Sequence, residues 1–393
     1  MSGRSAGGTS GDEICVAMIV NAWGAERLGG AERQLNSLCP LLIERGVRPV
    51  VIARERSRRP RSTNDPFEVV YVRVPPIPGL DRVVFVLGAS WALARARPDV
   101  VHAFGAFSQS TSARLYRRLT GTPFVTKILR SGELGDLYRL RRKRFGRQRS
   151  ERLFRDADAF MVISQEIDDE LAAAGVEPER RLRIPNGVDV ERFHPAADSE
   201  LGDRLRDELG RDGPIVVAVG RMTPEKRMPE LSALWHLVRR EHPGATLVIH
   251  GKLVNRIDPE AVRLHDDPGV VNPGARADIE YGYRAADLYV SASAAEGLSN
   301  ALLEAMASGL TCIVTDVGGV RDVVDDNVNG VIVDPDDLGA LVTAINRLLG
   351  DPEARATLGG RARETVAARF GLEAVADSLT AEYRRLAKGR SPG

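Results

Sequence analysis

Apolar residues along the chain fall into short β-branched runs separated by longer amphipathic stretches. In the first half the runs are ICVAMIV (14–20), VRPVVIA (47–53), EVVYVRV (68–74), DVVHAF (99–104), PFVTKIL (123–129) and AFMVIS (159–164). Such runs, apolar on both faces, are expected of strands buried in a parallel sheet. Helical spacing fills most of the gaps. Leu35, Leu38, Leu41 and Leu42 share one face of a helix predicted over 31–45, and a second helix is predicted over 83–97. Pro40 predicts a kink or a late break in the first, because its ring obstructs the preceding turn.

A turn-rich stretch, RIPNGVDVERFHP (183–195), interrupts the series. The alternation then restarts with IVVAVG (215–220), TLVIHG (246–251), GVVNPG (269–274), DLYVSAS (287–293), TCIVTD (311–316) and GVIVD (330–334). Helices are predicted over 229–240, 279–286, 299–307, 336–349, 352–368 and 372–387. Two strand–helix series joined by a linker predict an α/β protein of two doubly wound, Rossmann-like domains. Ligands of such sheets bind beyond the carboxyl ends of the strands, so the expected site is the cleft where the domains face each other.

The length of 393 residues agrees with two domains. A hydrophobic content of 43% with 28% charged residues describes a water-soluble globular chain, and no apolar run approaches the roughly 18 residues that span a bilayer. The first twelve residues, MSGRSAGGTSGD, lack the apolar centre of a signal peptide and are expected to be a disordered leader. Cys15, Cys39 and Cys312 are too few for a disulfide framework and are expected to be buried thiols, which makes a cytoplasmic location the default. A net charge of +1 argues against a nucleic-acid binder. It conceals RERSRRPRS (54–62) and RLRRKRFGRQRSER (139–152), the latter with eight basic residues and one acidic. The second run reads as a solvated helix face, a patch that docks on an anionic membrane surface, or the pocket of an anionic acceptor.

The familiar nucleotide signatures are absent: no G-x-G-x-x-G follows a strand and no G-x-x-x-x-G-K-[ST] occurs. The six histidines form no compact ligand set, and the D-x-D pairs Asp156/Asp158 and Asp334/Asp336 read as turn or strand-edge residues, so no metal is expected. Four features remain at strand carboxyl ends. GGAER (29–33) lets the backbone at Gly29 and Gly30 approach a ligand before a helix N-terminus, although a plain glycine turn looks the same. GRMTPEKR (220–227) places Arg221 and Lys226 in one turn, suited to a diphosphate or simply solvated. In SASAAEGLSNALLEAMASG (291–309), Gly297 permits a tight turn, and Ser299 or Asn300 can cap the next helix. Glu296 and Glu304 then flank an anion seat and can accept hydrogen bonds from sugar hydroxyls. His102, at the end of its strand, is expected to face the same cleft, although a lone histidine there is more often structural.

In this order these residues resemble the group 1 (family 4) retaining glycosyltransferases of the GT-B fold. GGAER is similar to their glycine loop, DVVHAFG to their histidine strand, and IPNGVDVERFHP to their connecting segment. GRMTPEKR and EGLSNALLEAMASG match their G-R-x-x-x-E-K and E-x(7)-E signatures, and the likeness covers about residues 12–385. The resemblance implies an acceptor-side domain over 12–188, a donor-binding domain over 189–371 and a helix over 372–388 that crosses back to the first. It implies a nucleotide-sugar donor, UDP-linked by preference with GDP open, and a hydroxyl acceptor. Arg221 and Lys226 would neutralise the diphosphate without a metal or cofactor. Glu304 would hold the ribose and Glu296 the sugar, helped by Gly297, Leu298, Ser299 and Asn300. Gly29 and Gly30 would close over the donor, His102 would touch the sugar near the reacting carbon, and Gly274, Ala275 and Arg276 would meet the base. Lys127, Arg130, Ser131 and Glu133 would line the acceptor side. The alternatives are a nucleotide-sugar epimerase or hydrolase using Glu133 and Asp136 as acid and base, and a catalytically degenerate nucleotide-sugar binder.

Overall fold

A computed structural model describes residues 13–389 apart from 24–29, 57–64, 196–203, 205, 209, 211, 254–256 and 277. Gly29 and the expected leader lie outside the described residues. In the first half, β1 (Ile14–Val20), β2 (Val47–Glu55), β3 (Glu68–Arg73), β4 (Val100–Phe104), β5 (Phe124–Lys127), β6 (Ala159–Val162) and β7 (Arg181–Arg183) form one parallel sheet in the order β3-β2-β1-β4-β5-β6-β7. The helices between them are α1 (Gly30–Glu44), α2 (Leu80–Ala96), α3 (Ser108–Thr120), α4 (Asp136–Arg141), α5 (Gly146–Asp156) and α6 (Gln165–Ala173). Each predicted run becomes a strand. β7 was not predicted, because its RLR sequence has no apolar run to betray it. Contrary to the expectation of a late break, α1 continues through Pro40 to Glu44. Pro40 is exposed, while Leu38, Cys39 and Leu42 around it are fully buried and hold the helix on the sheet.

The second half repeats the plan. β8 (Ile215–Val219), β9 (Thr246–His250), β10 (Val270–Val271), β11 (Leu288–Ser291), β12 (Thr311–Thr315) and β13 (Val331–Val333) form a parallel sheet ordered β10-β9-β8-β11-β12-β13. Its helices are α7 (Met228–Glu241), α8 (Ile279–Ala285), α9 (Asn300–Ala307), α10 (Leu338–Leu349) and α11 (Pro352–Arg369), and α12 (Leu372–Lys388) ends the described chain. Strand order reverses between β1 and β4 and between β8 and β11, which opens a crevice at the carboxyl ends of each pair.

Alternation along the strands sorts side chains to the two sheet faces. Val16, Met18, Val100, Phe104 and Val125 pack with Leu35 and Leu38 of α1 and with Leu379 and Tyr383 of α12. The other face, with Ala17, Ile19, Val101 and Ala103, belongs to an apolar cluster that runs on through Val188 and Phe193 to Val217, Tyr289 and Leu302 of the second half. The last helix therefore covers the first sheet. It is fastened where Val188 N–H donates to the Phe370 carbonyl (2.8 Å) and Leu372 N–H to the Val188 carbonyl (3.0 Å). Arg45, at the end of α1, bridges to Glu373 and Asp377 of α12, each at 2.6 Å. Among the described residues no helix is long and apolar enough to cross a membrane.

Candidate functional site

In the second half, the turn after β8 and the loop after β11 meet at the strand-order reversal. Lys226 ends a single 3-10 turn, Pro224–Lys226, and its ammonium pairs with Oε1 of Glu296. Ser293 Oγ donates to the same oxygen at 2.9 Å. The two loops are also stitched through the backbone, Ala294 N–H to the Glu225 carbonyl at 2.8 Å. Arg221 stands exposed at the start of the turn. Ser299, rather than Asn300, caps α9, accepting from Leu302 N–H. A positive turn and a helix N-terminus thus converge on one spot, an arrangement that suits an anion.

The two glutamates of the E-x(7)-E stretch have different surroundings. Glu296 is an ion-pair partner at the loop. Glu304 lies on α9, where Oε2 accepts from the Tyr283 hydroxyl at 2.9 Å. Burial raises the Glu304 carboxyl above its ordinary range, and the Tyr283 bond opposes that only in part. Gly274 takes φ +85° in the loop after β10. Its carbonyl lies 3.4 Å from Nδ1 of buried His250, and burial lowers that imidazole. Ala275 is exposed, while Arg276 is held by Asp278 (2.9 Å) and Glu208 (3.3 Å).

Contacts across the crevice bring the two halves together at this seat. A Cβ on Gly297 would run into the Leu129 carbonyl and come within 3.0 Å of Ile163 Cδ1, so the loop meets the first half as bare backbone. Within the second half, Gly319 N–H donates to the Gly297 carbonyl at 2.5 Å. Arg130 reaches Glu225 of the turn after β8 at 3.2 Å. Asn186 in the linker donates to the Leu298 carbonyl (2.9 Å) and to Asn300 Oδ1 (2.8 Å), and Asn300 Nδ2 donates to the Gly30 carbonyl (2.8 Å).

Several expected positions are displaced. His102 does not face the cleft: it is 1% exposed, with Nδ1 2.6 Å from the Tyr383 hydroxyl and its ring stacked on Phe104. The reason is strand alternation, since His102 shares the face of Val100 and Phe104 that α12 covers. Burial, and secondarily the charge of Lys127, depress the imidazole to about 3. Lys127 is likewise no open acceptor contact. It is 2% exposed, donates to Asn186 Oδ1 at 2.8 Å, and is pushed down to about 7 by burial. Ser131 is buried against Glu166 (2.7 Å), while Glu133 is exposed. Asp136 is buried and accepts from Leu129 N–H at 3.0 Å, a structural bond rather than a free acid or base. Asp156 and Asp158 hold α3 arginines, Arg118 at 3.0 Å and Arg117 at 2.8 Å.

The basic run 139–152 is split. Arg147 pairs with Glu151 (3.2 Å) and Arg149 is directed towards Thr111, whereas Arg142, Lys143 and Arg144 remain at an exposed corner. All three thiols are buried and unpaired. Sequence reasoning passed over Tyr283 and Asn186. Tyr283 had no motif. Asn186 stood in the quoted N-G-V-D stretch, but read only as a linker.

A family model described as "Glycosyltransferase Family 4" matches residues 28–192, and one described as "Glycosyl transferases group 1" matches residues 213–351, between them most of the chain. The chain belongs to the group 1, family 4 glycosyltransferases. Its two parallel sheets are the GT-B fold of that family. The chain is 33% identical over 218 residues to sulfoquinovosyl transferase SQD2 of Arabidopsis thaliana, 54% of this chain and 42% of that one. It is 32% identical over 256 residues to D-inositol 3-phosphate glycosyltransferase of Xylanimonas cellulosilytica, 61% of this chain and 60% of that one. A third relative, 30% identical over 223 residues, is the GDP-mannose-dependent alpha-(1-6)-phosphatidylinositol monomannoside mannosyltransferase of Mycolicibacterium smegmatis, matched over 53% of this chain and 57% of that one. The chain thus spans about half the length of these relatives. Among solved structures, Anabaena Alr3699/HepE in complex with UDP and glucose superposes with a TM-score of 0.78 at 19% identity, covering 95% of this chain and 100% of that one.

Proposed function

We propose that this family member is a retaining, metal-independent glycosyltransferase that moves a hexosyl or N-acetylhexosaminyl group from a nucleotide sugar to a hydroxyl acceptor. The observation that carries the reading is the meeting of Lys226, Glu296 and the α9 N-terminus at one crevice mouth. There Arg221 and Lys226 stabilise the charge that grows on the leaving diphosphate. Glu296, oriented by Lys226 and Ser293, accepts hydrogen bonds from the sugar, while Glu304 accepts them from the ribose. Gly297–Asn300 offer backbone N–H groups from the second half, and Gly29 and Gly30 close from the first. Gly274–Arg276 meet the base. The division into 12–188, 189–371 and 372–388 belongs to the same reading, with Arg130 and Glu133 on the acceptor side; Ser131, buried against Glu166, drops out with Lys127. His102, walled off by Tyr383 and Phe104, is left out. UDP is the favoured nucleotide carrier, as in the HepE complex; the GDP-mannose-dependent relative keeps GDP as the second choice.

A thermal-shift screen against UDP, GDP, ADP and their sugars tests this proposal. A ligand at ~100 times its Kd contributes about 2.7 kcal/mol, which moves Tm measurably. One diphosphate and its sugar should raise Tm; no shift with any of them would sink the reading.

A cytoplasmic enzyme working at the inner face of the cell membrane is the location that goes with it. Its support is α2, whose buried face is apolar and whose outer ridge carries Leu80, Val83, Leu87 and Trp91, exposed by 46, 55, 60 and 64%. A helix apolar on both sides calls for a cover. Arg82 and Arg95 flank the ridge, Arg95 5.9 Å from the Trp91 ring centre, so an anionic lipid surface complements it better than a second, equally basic copy. In sedimentation, vesicles containing anionic lipid should carry the protein down and neutral ones should not. Equal recovery with both would remove the membrane.

A further inference from the structure

The side chains that join the two halves form a chain with a direction. Lys127 ends β5 in the first half and donates to Asn186 Oδ1, and the Leu298 carbonyl beyond Asn186 can only accept, which fixes the amide with its oxygen towards Lys127 and its nitrogen towards Leu298. That leaves the Asn186 amide nitrogen to donate, and it does so twice, to the Leu298 carbonyl and to Asn300 Oδ1. Asn300, its oxygen now occupied, points its own nitrogen at the Gly30 carbonyl. The sequence of bonds runs from the first sheet, through the linker, to the α9 N-terminus and back to the start of α1. Its first links lie deep, Lys127 at 2% and Asn186 at 7% exposed, and its last, from Asn300 to Gly30, reaches the surface. A second tie runs beside it, Gly187 N–H to Gln34 Oε1 of α1 at 3.1 Å.

We propose that Lys127, Asn186 and Asn300 are positioning residues, a directional relay that holds the start of α1 against the α9 N-terminus and so keeps the two halves closed over the donor seat. The relay explains why a lysine is buried among Phe104 and Asn186 with no carboxylate facing it among the described residues. A carboxylate in place of Asn186 would satisfy the ammonium better, but it could not donate onward. The amide is the group that both accepts from the first half and donates to the second. Asn300 stands at the first position of α9, so the relay ends beside the N–H groups offered to the anion. In this arrangement the first half reports on closure through Gly30, and Lys127 acts on the donor without touching it.

The test uses the full chain and the near-isosteric Asn186→Asp, which keeps the acceptor for Lys127 and abolishes both onward donations. Backbone hydrogen exchange is followed at the start of α1 (residues 30–38) and, as a control, in β1 and β12. Exchange at 30–38 should quicken by about tenfold in Asn186→Asp and in Asn300→Ala, with the control strands unchanged. UDP, used as the probe, should bind about tenfold more weakly to both variants. Lys127→Met should match them. Unchanged exchange at 30–38 in Asn186→Asp overturns the relay. So does a Lys127→Met variant that loosens every segment alike while the two asparagine variants are silent, since Lys127 would then be only part of the core. The UDP arm rests on the glycosyltransferase reading; the exchange arm needs no ligand and stands if that reading fails.

Discussion

At the scale of residues, the chemistry-bearing side chains divide into those held at the crevice and those drawn inside. Lys226 and Glu296 pair with each other, so on the proposed function an incoming diphosphate would share the lysine with a carboxylate that stays beside it. Nothing in the sequence showed that pair, because 70 residues separate the partners. His102 shows a different limit: its strand and its alternation were legible, but the helix that buries it arrives some 280 positions later. Lys127 yields a prediction about pH. Burial depresses it to about 7, whereas an unfolded lysine titrates near ~10.4. Between those values the unfolded chain binds a proton that the native chain does not, so stability rises with pH there, by up to ~1.4 kcal/mol per unit. Urea midpoints of the wild type should therefore climb from pH 7 to 8.5 relative to those of Lys127→Met, a difference in which other groups largely cancel. Parallel midpoints would show that Lys127 keeps its ordinary pKa.

At the scale of elements, the strand runs and most of the helices were readable from apolar periodicity, and residue type narrowed the cap to Ser299 or Asn300, of which Ser299 takes the place. The proposed seat could be put forward from sequence because turn glycine, cap and flanking glutamates lie within one continuous stretch. What α9 meets was not readable. Gly297 was expected to serve a tight turn, yet the tighter constraint comes from the other half, where the Leu129 carbonyl leaves no room for a Cβ. Gly297→Ala should accordingly push the halves apart rather than merely strain a loop. We expect at least a ~10-fold loss in nucleotide affinity, in line with other steric insertions of 1–3 kcal/mol, together with a larger radius of gyration in solution scattering. An unchanged radius would locate the effect in the loop alone. Pro40 carries the opposite lesson, since packing of Leu38, Cys39 and Leu42 overrides a local helix breaker.

At the scale of the whole molecule, two parallel sheets were foreseeable from the restart of the alternation after the linker. Their joining was not. A core cluster continuous from β1 to α9, the α12 helix laid over the first sheet, and the Lys127–Asn186–Asn300 bonds all depend on residues distant in sequence. These contacts bring Gly30 from one half and the α9 N-terminus from the other to within a hydrogen bond. On this account the closed arrangement is a diphosphate seat, and its cations are Arg221 and Lys226. The most direct measurement is calorimetric titration of UDP and GDP into the wild type, Arg221→Ala and Lys226→Ala. One nucleotide should bind the wild type, and each variant should lose about 10²-fold in affinity, the effect of roughly 3 kcal/mol of charge stabilisation. Wild-type affinity retained in both variants would contradict the central claim.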